Sequence, residues 1–251
     1  MSSRGRTILF LVSAAGLAIL FAWGFRNLPP LGDYRGPYGY VVSQVCVYQR
    51  HATDVVNAVT YDYRGFDTLA EEFILFASVL GVLLLFRPAE QNQKDKHKAQ
   101  IEDALPVSDA VRVSMQAIAG IMIVFGVYIA THGQLTPGGG FQGGVILASV
   151  PLVVYLSGDV KTFESIVSSP LIKLADSEGA AGYAIIGTAA LFFGAHFLTK
   201  IIPLGITGDV FSSGTIAVIS VSVGLEVTGG FVVLMHSYLR EVIEEQRGEE
   251  S

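Results

Sequence analysis

The length, composition and charge of the chain define its class before any motif is considered. It has 251 residues, of which 51% are hydrophobic and only 15% charged, and its mean hydropathy is +0.52. Because soluble domains carry about 25% charged residues, this composition predicts a chain that lies largely in lipid. The single cysteine, Cys46, excludes an internal disulfide and a thiolate metal cage. The net charge of −6 argues against the basic face that nucleic-acid binding needs, so we expect no nucleic-acid partner.

Six hydrophobic stretches predict transmembrane helices. They are Thr7–Phe25, Leu69–Phe86, Val113–Thr131, Gly143–Ser157, Gly182–Ile202 and Gly214–Tyr238. An α-helix rises about 1.5 Å per residue, so a stretch of about 20 residues crosses a hydrocarbon core of about 30 Å. A signal peptide is the competing interpretation of the first stretch. That stretch is longer than the apolar region of a signal, however, and no small-x-small cleavage site follows it.

The distribution of lysine and arginine predicts the orientation. With the amino terminus inside, the inner segments hold 11 of these residues and the outer segments hold 5. Positive residues in short loops are retained in the cytoplasm, so both termini are expected there. The prediction is an all-α polytopic membrane protein with about six spanning helices.

A polar segment divides the chain into two predicted modules. Residues 91–109 carry many charges of both signs and have no apolar face, which is typical of a cytoplasmic linker. The linker separates a two-helix module at residues 1–90 from a four-helix module at residues 110–251. No internal repeat relates the modules, so we expect a 2+4 arrangement of fused units.

A glycine-rich segment precedes the fourth stretch. It consists of Pro137, Gly138, Gly139, Gly140, Phe141, Gln142, Gly143 and Gly144. No Lys-Ser/Thr pair follows, so a phosphate-binding loop is not favoured. Glycine permits positive φ and close backbone approach, and the spacing of four is typical of helices that pack closely in lipid. The segment therefore predicts a sharp turn and a helix start that neighbouring helices or subunits must cover.

Three carboxylates lie in predicted helices. Glu226 is near the middle of the last stretch, where a charge costs about 2.5 to 3.5 kcal/mol, so it must face protein or water. A structural pairing and a role in ion or proton transfer both remain open for it. Glu71 and Glu72 begin the second stretch, and Thr68 and Glu71 have the spacing of a capping box. Glu71 therefore has both a helix-capping and an ion-path interpretation, and Glu72 is a further candidate.

His132, His196 and Lys200 lie near the ends of predicted spans. Histidine titrates near neutral pH and can relay protons, although a packing histidine is the commoner case. The sequence has no HExxH motif, no GxSxG elbow and no paired soluble-site carboxylates. We therefore expect no catalytic residue, no metal site and no cofactor, and we expect that the chain is not an enzyme.

Two runs in the four-helix module carry a resemblance. GVYIATHGQLTPGGGFQGGVILAS, at Gly126–Ser149, and SSGTIAVISVSVGLEVTGGFVVL, at Ser212–Leu234, resemble the MnhB-like family, the B-type subunits of multisubunit Mrp-type cation/proton antiporters. VVNAVTYDYRGFDTLAEEFILFASVLGV, at Val55–Val82, resembles the E subunit of membrane-bound hydrogenases, a piece that in many Mrp systems ends the large A subunit. The sequence departs from this pattern at Ala70, where glycine is usual, and in joining units that usually lie on separate chains.

The resemblance implies a membrane subunit of a multisubunit antiporter in a bacterial or archaeal cell membrane. Its implied partners are complex I-like antiporter subunits, small membrane subunits, Na⁺ or another monovalent cation, H⁺ and lipid. Glu71 matches the glutamate of the family's DTxxE stretch, which implies a place on the ion path. The alternative is the same module in a membrane-bound hydrogenase or another complex I-related redox complex. An autonomous transporter is not favoured, because only one span is interrupted.

Overall fold

The fold was derived from a computed structural model, which describes residues 3–26, 28, 36–86 and 107–250. These residues form helices and connecting loops without a strand, so the all-α prediction is confirmed. Of the predicted linker, only residues 107–109 lie within the described part of the chain. The helices are α1 Ser3–Arg26, α2 Pro37–Arg50, α3 Val55–Ala58, a π-helical turn Val59–Tyr63, α4 Gly65–Leu85, α5 Asp109–Thr131, α6 Gly140–Leu156, α7 Val160–Val167, α8 Pro170–Phe192 and α9 Thr215–Glu250.

The chain forms two compact units, Met1–Val41 and Val42–Ser251. The first contains α1, whose large apolar side chains, such as Phe10 and Trp23, are exposed. Exposed apolar side chains of this kind are suited to contact with lipid or other protein chains. The second unit contains the helices from α3 to α9. The division into a two-helix and a four-helix module stays a prediction.

Within the residues that the structure describes, three helical segments are long and apolar enough to cross a membrane, namely Gly65–Leu85, Asp109–Thr131 and Thr215–Leu239. Phe10–Arg26 and Gly140–Leu156 are shorter apolar helices. These five segments coincide with five of the six predicted stretches. The count of six spans and the side of each terminus remain predictions.

The fifth predicted stretch differs from the helix that the structure places there. α8 begins at Pro170, well before Gly182, and ends at Phe192. Its start is fixed by Ser169, whose side chain accepts a hydrogen bond from the Leu171 amide, and by proline at the first helical position, where no amide is needed. Hydropathy alone missed this start because the first half of α8 is polar.

α9 is the central helix of the second unit and packs against α8, α6 and α4, while α5 packs on α6. The main core combines Ile219, Val223 and Val227 of α9 with Tyr61 and Tyr183. A second cluster forms where Phe163 and Val167 of α7 pack on α6 and α9. Since α9 is covered on several sides, it can hold a polar side chain away from lipid.

The glycine-rich segment brings α6 close to its neighbours. Gly138 and Gly139 have φ values of 137° and 140°, which favour glycine, and α6 begins immediately afterwards. A Cβ at Gly140 would overlap the Ser220 carbonyl oxygen, and one at Gly144 would lie 2.7 Å from the Cβ of Val227. Gly140 and Gly144, which are spaced by four, therefore face α9 of the same chain.

Candidate functional site

Two buried carboxyls meet at the contact between α4 and α9. Glu226 is fully buried and Glu72 is 5% exposed, and their side chains lie close enough to interact with each other. Ionised carboxylates only accept hydrogen bonds, so a hydrogen bond between two carboxyls requires a proton on one of them. Two carboxyls this close to each other in a buried position are therefore suited to share one proton. We call Glu72 and Glu226 the carboxyl pair.

Close helix packing buries Glu226. A Cβ at Gly179 of α8 would overlap the Glu226 backbone nitrogen and would lie 2.5 Å from the Glu226 Cβ. One turn along α8, a Cβ at Gly182 would lie 2.8 Å from the Ser222 hydroxyl. Glycine at these positions lets the backbone of α8 lie directly against α9. Lipid is thereby excluded from the α8 side of the carboxyl pair.

Glu71 lies outside the pair, although it is the neighbour of Glu72 in sequence. It is exposed, because successive residues of a helix point about 100° apart. The predicted capping box is wrong. α4 begins at Gly65, so Thr68 is already helical, and its hydroxyl donates to the Thr60 carbonyl oxygen at 2.7 Å. The π-helical turn before α4 moves the helix start ahead of the residue that the capping pattern indicated.

Two buried tyrosines line the region beside the carboxyl pair. Tyr61, in the π-helical turn, packs edge-on against Tyr183 of α8 with ring centroids 6.3 Å apart. Tyr61 is 5% exposed and Tyr183 is fully buried. The Tyr183 hydroxyl donates to the Gly65 carbonyl oxygen at 2.7 Å. Glu72 interacts electrostatically with both phenols, so the tyrosines and the pair form one polar region.

A three-residue ion cluster forms around Asp62, which follows Tyr61 in sequence. Asp62 Oδ2 forms ion pairs with Arg50 Nε at 2.7 Å and with Lys200 Nζ at 2.8 Å. The side chains are 26% exposed for Arg50, 17% for Lys200 and 16% for Asp62, so the cluster is largely shielded from solvent. Burial lowers the pKa of Lys200, and the contact with Asp62 opposes that shift. Two cations share one carboxylate, which leaves the cluster with a net positive charge.

The predicted histidines lie away from the carboxyl pair. His132 follows the end of α5, where its Nδ1 lies 3.0 Å from the Tyr128 carbonyl oxygen and its ring stacks on that tyrosine at 4.3 Å. His196 is exposed in the loop after α8. Among the described residues, no group of three or more His, Cys, Asp or Glu side chains is placed to hold a metal ion.

Sequence reasoning did not single out Tyr61, Asp62, Tyr183 or Arg50. One sequence signal for this region is the run TYDYR at residues 60–64. It places Asp62, Arg64 and two tyrosines between apolar segments, which is typical of a polar site rather than of a spanning helix. The contact of Asp62 with Lys200 crosses more than a hundred residues, and no spacing rule predicts it. The structure therefore adds a polar region around the two glutamates that the sequence had marked separately.

The fold and site define a helical membrane protein with a buried carboxyl pair. Residues 110–233 match the family described as a domain related to the MnhB subunit of Na⁺/H⁺ antiporters. A protein of Staphylococcus saprophyticus named as a putative antiporter subunit, mnhB2, is 31% identical over 121 residues, which cover 47% of this chain and 84% of that relative. The chain belongs to this MnhB-related family of antiporter subunits.

A longer relative also aligns with the amino-terminal part of the chain. A protein of Rhizobium meliloti named as the A/B subunit of a K⁺/H⁺ antiporter is 26% identical over 214 residues, which cover 78% of this chain. The chain spans only 21% of that relative. The matched region is thus a fraction of a larger polypeptide.

Two solved structures share the fold. A chain of the membrane-bound sulfane sulfur reductase, an archaeal respiratory membrane complex, has a TM-score of 0.70 and 25% identity, with 93% of this chain and 98% of that chain covered. A chain of the Mrp complex from Dietzia sp. DQ12-45-1b has a TM-score of 0.68 and 23% identity. That likeness covers 94% of this chain and 26% of the Dietzia chain. The fold thus occurs both as a whole chain and as part of a longer one.

Proposed function

We propose that the chain is a membrane subunit of a multisubunit Mrp-type monovalent cation/proton antiporter and that the carboxyl pair lies on its ion path. The observation that carries this proposal is the contact between the buried carboxyls of Glu72 and Glu226. Membership in a family of antiporter subunits supports a transport role over an enzymatic one. The proposed location is the cell membrane of a bacterium or an archaeon, with both termini and the 91–109 linker on the cytoplasmic side.

The charge of the carboxyl pair favours exchange of one proton for one cation. With one shared proton the pair carries a net charge of −1. A monovalent cation that replaces the proton leaves the same net charge, and carboxylate oxygens are suitable ligands for such hard cations. Because a change of net charge is costly in a low-dielectric interior, this one-for-one replacement is the least costly way to empty and refill the site.

The polar region around the pair suggests a route to the surface. Tyr61 and Tyr183 lie beside Glu72. Asp62 follows Tyr61 in sequence and forms an ion pair with Lys200, whose side chain is more exposed than Glu72. Lys200 is the proposed outer end of a proton route, since burial lowers its pKa and so eases proton release. Glu71 remains a candidate for the mouth of the path because it is exposed next to Glu72.

The proposed partners are other chains of the complex, in addition to lipid, H⁺ and Na⁺ or another monovalent cation. Many large apolar side chains of α1, α4 and α5 are exposed and suited to helix contacts within a membrane complex. We also propose that residues 1–90 form an A-like module and residues 110–251 a B-like module. The alignment with the A/B protein of Rhizobium meliloti, over 78% of this chain, supports that fusion.

A second function is the same ion-translocating module in a complex with a redox arm. It is favoured by the nearly complete mutual coverage with a chain of the sulfane sulfur reductase, 93% of this chain and 98% of that one. In such a complex the carboxyl pair would couple ion movement to electron transfer. The identity of the co-purified chains separates the two functions.

The test is purification of the native complex through a tag on this chain, followed by reconstitution into proteoliposomes. We expect antiporter subunits without redox subunits, and collapse of an imposed pH gradient on addition of Na⁺, K⁺ or Li⁺. The control is liposomes reconstituted with a detergent extract of membranes from cells that lack this chain. Redox subunits in the purified complex would support the second function, and a complex that exchanges none of these cations for protons would contradict the first.

A further inference from the structure

The segment between α8 and α9, residues 193–214, is a long loop without a helix or strand, and we call it the connecting loop. Loops of more than about 12 to 15 residues without secondary structure are uncommon in compact domains, and many of them are lids or binding loops. The second half of this loop folds back on itself, because the Ser213 amide donates to the Leu204 carbonyl oxygen at 2.8 Å. Residues 204–213 therefore form a compact turn whose ends lie together.

Two side chains fasten this compact turn to the segment that follows α2. The Ser213 hydroxyl donates to the His51 carbonyl oxygen at 2.9 Å. The His51 ring donates from Nδ1 to the Gly205 carbonyl oxygen at 2.7 Å, since a carbonyl oxygen only accepts. The two hydrogen bonds run in opposite directions between the same two segments. We call His51 and Ser213 the clasp.

The clasp residues have an unfavourable backbone conformation. Within the described part of the chain, the non-glycine residues with positive φ are His51 at 53°, Leu198 at 62° and Ser213 at 68°. Residues of this kind persist only where surrounding contacts enforce them, and they are concentrated at clamps and switch regions. Each of these residues belongs to the clasp or to the connecting loop. Release of the clasp relieves part of this strain, so the closed loop is poised to open.

The connecting loop supplies Lys200 to the ion cluster. Its Nζ lies 2.8 Å from Asp62 Oδ2. Arg50 is held independently of the loop, because its Nε pairs with Asp62 and its guanidinium lies 4.7 Å from the centre of the Tyr63 ring. Opening of the loop therefore removes Lys200 from Asp62 and leaves the Arg50–Asp62 pair in place.

Cys46 lies beneath the same part of the fold. It is fully buried, and its thiol contacts the Ala52 carbonyl oxygen at 3.7 Å, one residue after His51. Phe197 and Leu198 of the connecting loop pack against the core that contains Cys46. Because Cys46 is the single cysteine of the chain, its reactivity reports whether the loop is closed.

We propose that the connecting loop is a lid over the ion cluster and that the clasp keeps the lid closed and positions Lys200 on Asp62. When the clasp releases, Lys200 leaves Asp62 and the carboxylate becomes accessible. The inference rests on the proposed function in one respect: Lys200 is the outer end of the proton route, so the lid controls access to that route.

The test measures alkylation of Cys46 by N-ethylmaleimide in the purified complex, quantified by mass spectrometry of the peptide that contains Cys46. Ser213→Ala should raise the rate about three- to tenfold, because it removes one hydrogen bond of the clasp without relieving the backbone strain. Ser220→Ala is the matched control, since its hydroxyl donates a buried hydrogen bond of the same length, 2.9 Å, to the Ala130 carbonyl oxygen. A general loss of stability raises labelling in both variants, whereas opening of the lid raises it in Ser213→Ala alone.

Lys200→Met decides the case if Ser213→Ala fails to assemble. It removes the contact of the loop with Asp62 and keeps the Arg50–Asp62 pair, so labelling of Cys46 should rise by a similar factor. No increase in the variant that assembles, or an equal increase in Ser220→Ala, would overturn the inference. Faster labelling in a complex that exchanges no cation for protons would support the lid and refute the proposed function.

Discussion

At the residue scale, Glu226 illustrates how a carboxyl becomes tolerable within a membrane-spanning helix. A charge at this depth costs about 2.5 to 3.5 kcal/mol when it faces lipid. Here Gly179 of α8 lies against the Glu226 backbone, and Glu72 of α4 meets the side chain. The carboxyl is thus covered by protein and lies against a second carboxyl, so its position reflects the packing of three helices.

Asp62 gives a prediction at the same scale. Asp62→Asn leaves Arg50 and Lys200 without their shared carboxylate in a shielded position, so we expect a loss of about 1 to 3 kcal/mol in stability. Asp67→Asn is the matched control, because its ion pair with Arg64 is about 54 to 60% exposed and should contribute less than about 1 kcal/mol. Thermal unfolding of the purified complex measures both. Equal effects of the two substitutions would show that the ion cluster has no special structural role.

At the element scale, hydropathy located the apolar helices but not all of their ends. The start of α8 depends on Ser169 and Pro170, which precede a polar first half that a hydropathy window passes over. The start of α4 depends on the π-helical turn, so the capping pattern at Thr68 was misleading. Helix ends are set by local hydrogen bonds, whereas hydropathy reports only the length spent in an apolar environment.

The contact between α6 and α9 gives a prediction for a whole element. Gly144→Leu should force the helices apart, because a Cβ there already lies 2.7 Å from Val227. We expect a loss of at least about 1 to 3 kcal/mol and a lower yield of assembled complex. Gly120→Leu on α5 is the matched control, since nothing lies within 4 Å of its added Cβ. Size-exclusion chromatography and thermal unfolding compare them, and similar behaviour of the two variants would rule out close packing at Gly144.

At the scale of the whole molecule, the sequence predicted the helical class and marked Glu72 and Glu226 separately, but not their contact. That contact depends on the packing of α4 against α9, about 150 residues apart in the chain. Tyr61 and Asp62 were missed because a π-helical turn has no distinct hydrophobic period. The site is a product of tertiary packing. Only the residues whose burial in a membrane costs most free energy, such as Glu226, can be recognised from the sequence.

Cation-induced proton release from the purified complex tests the central claim most directly. Addition of Na⁺ or K⁺ at a pH where the carboxyl pair holds its proton should release about one proton per complex, detected with a pH dye in weak buffer. Glu226→Gln and Glu72→Gln should abolish the release while the complex stays assembled, and Asp67→Asn, at an exposed ion pair with Arg64, should preserve it. Undiminished release from the Glu226→Gln and Glu72→Gln complexes would contradict the assignment of the carboxyl pair as the exchange site.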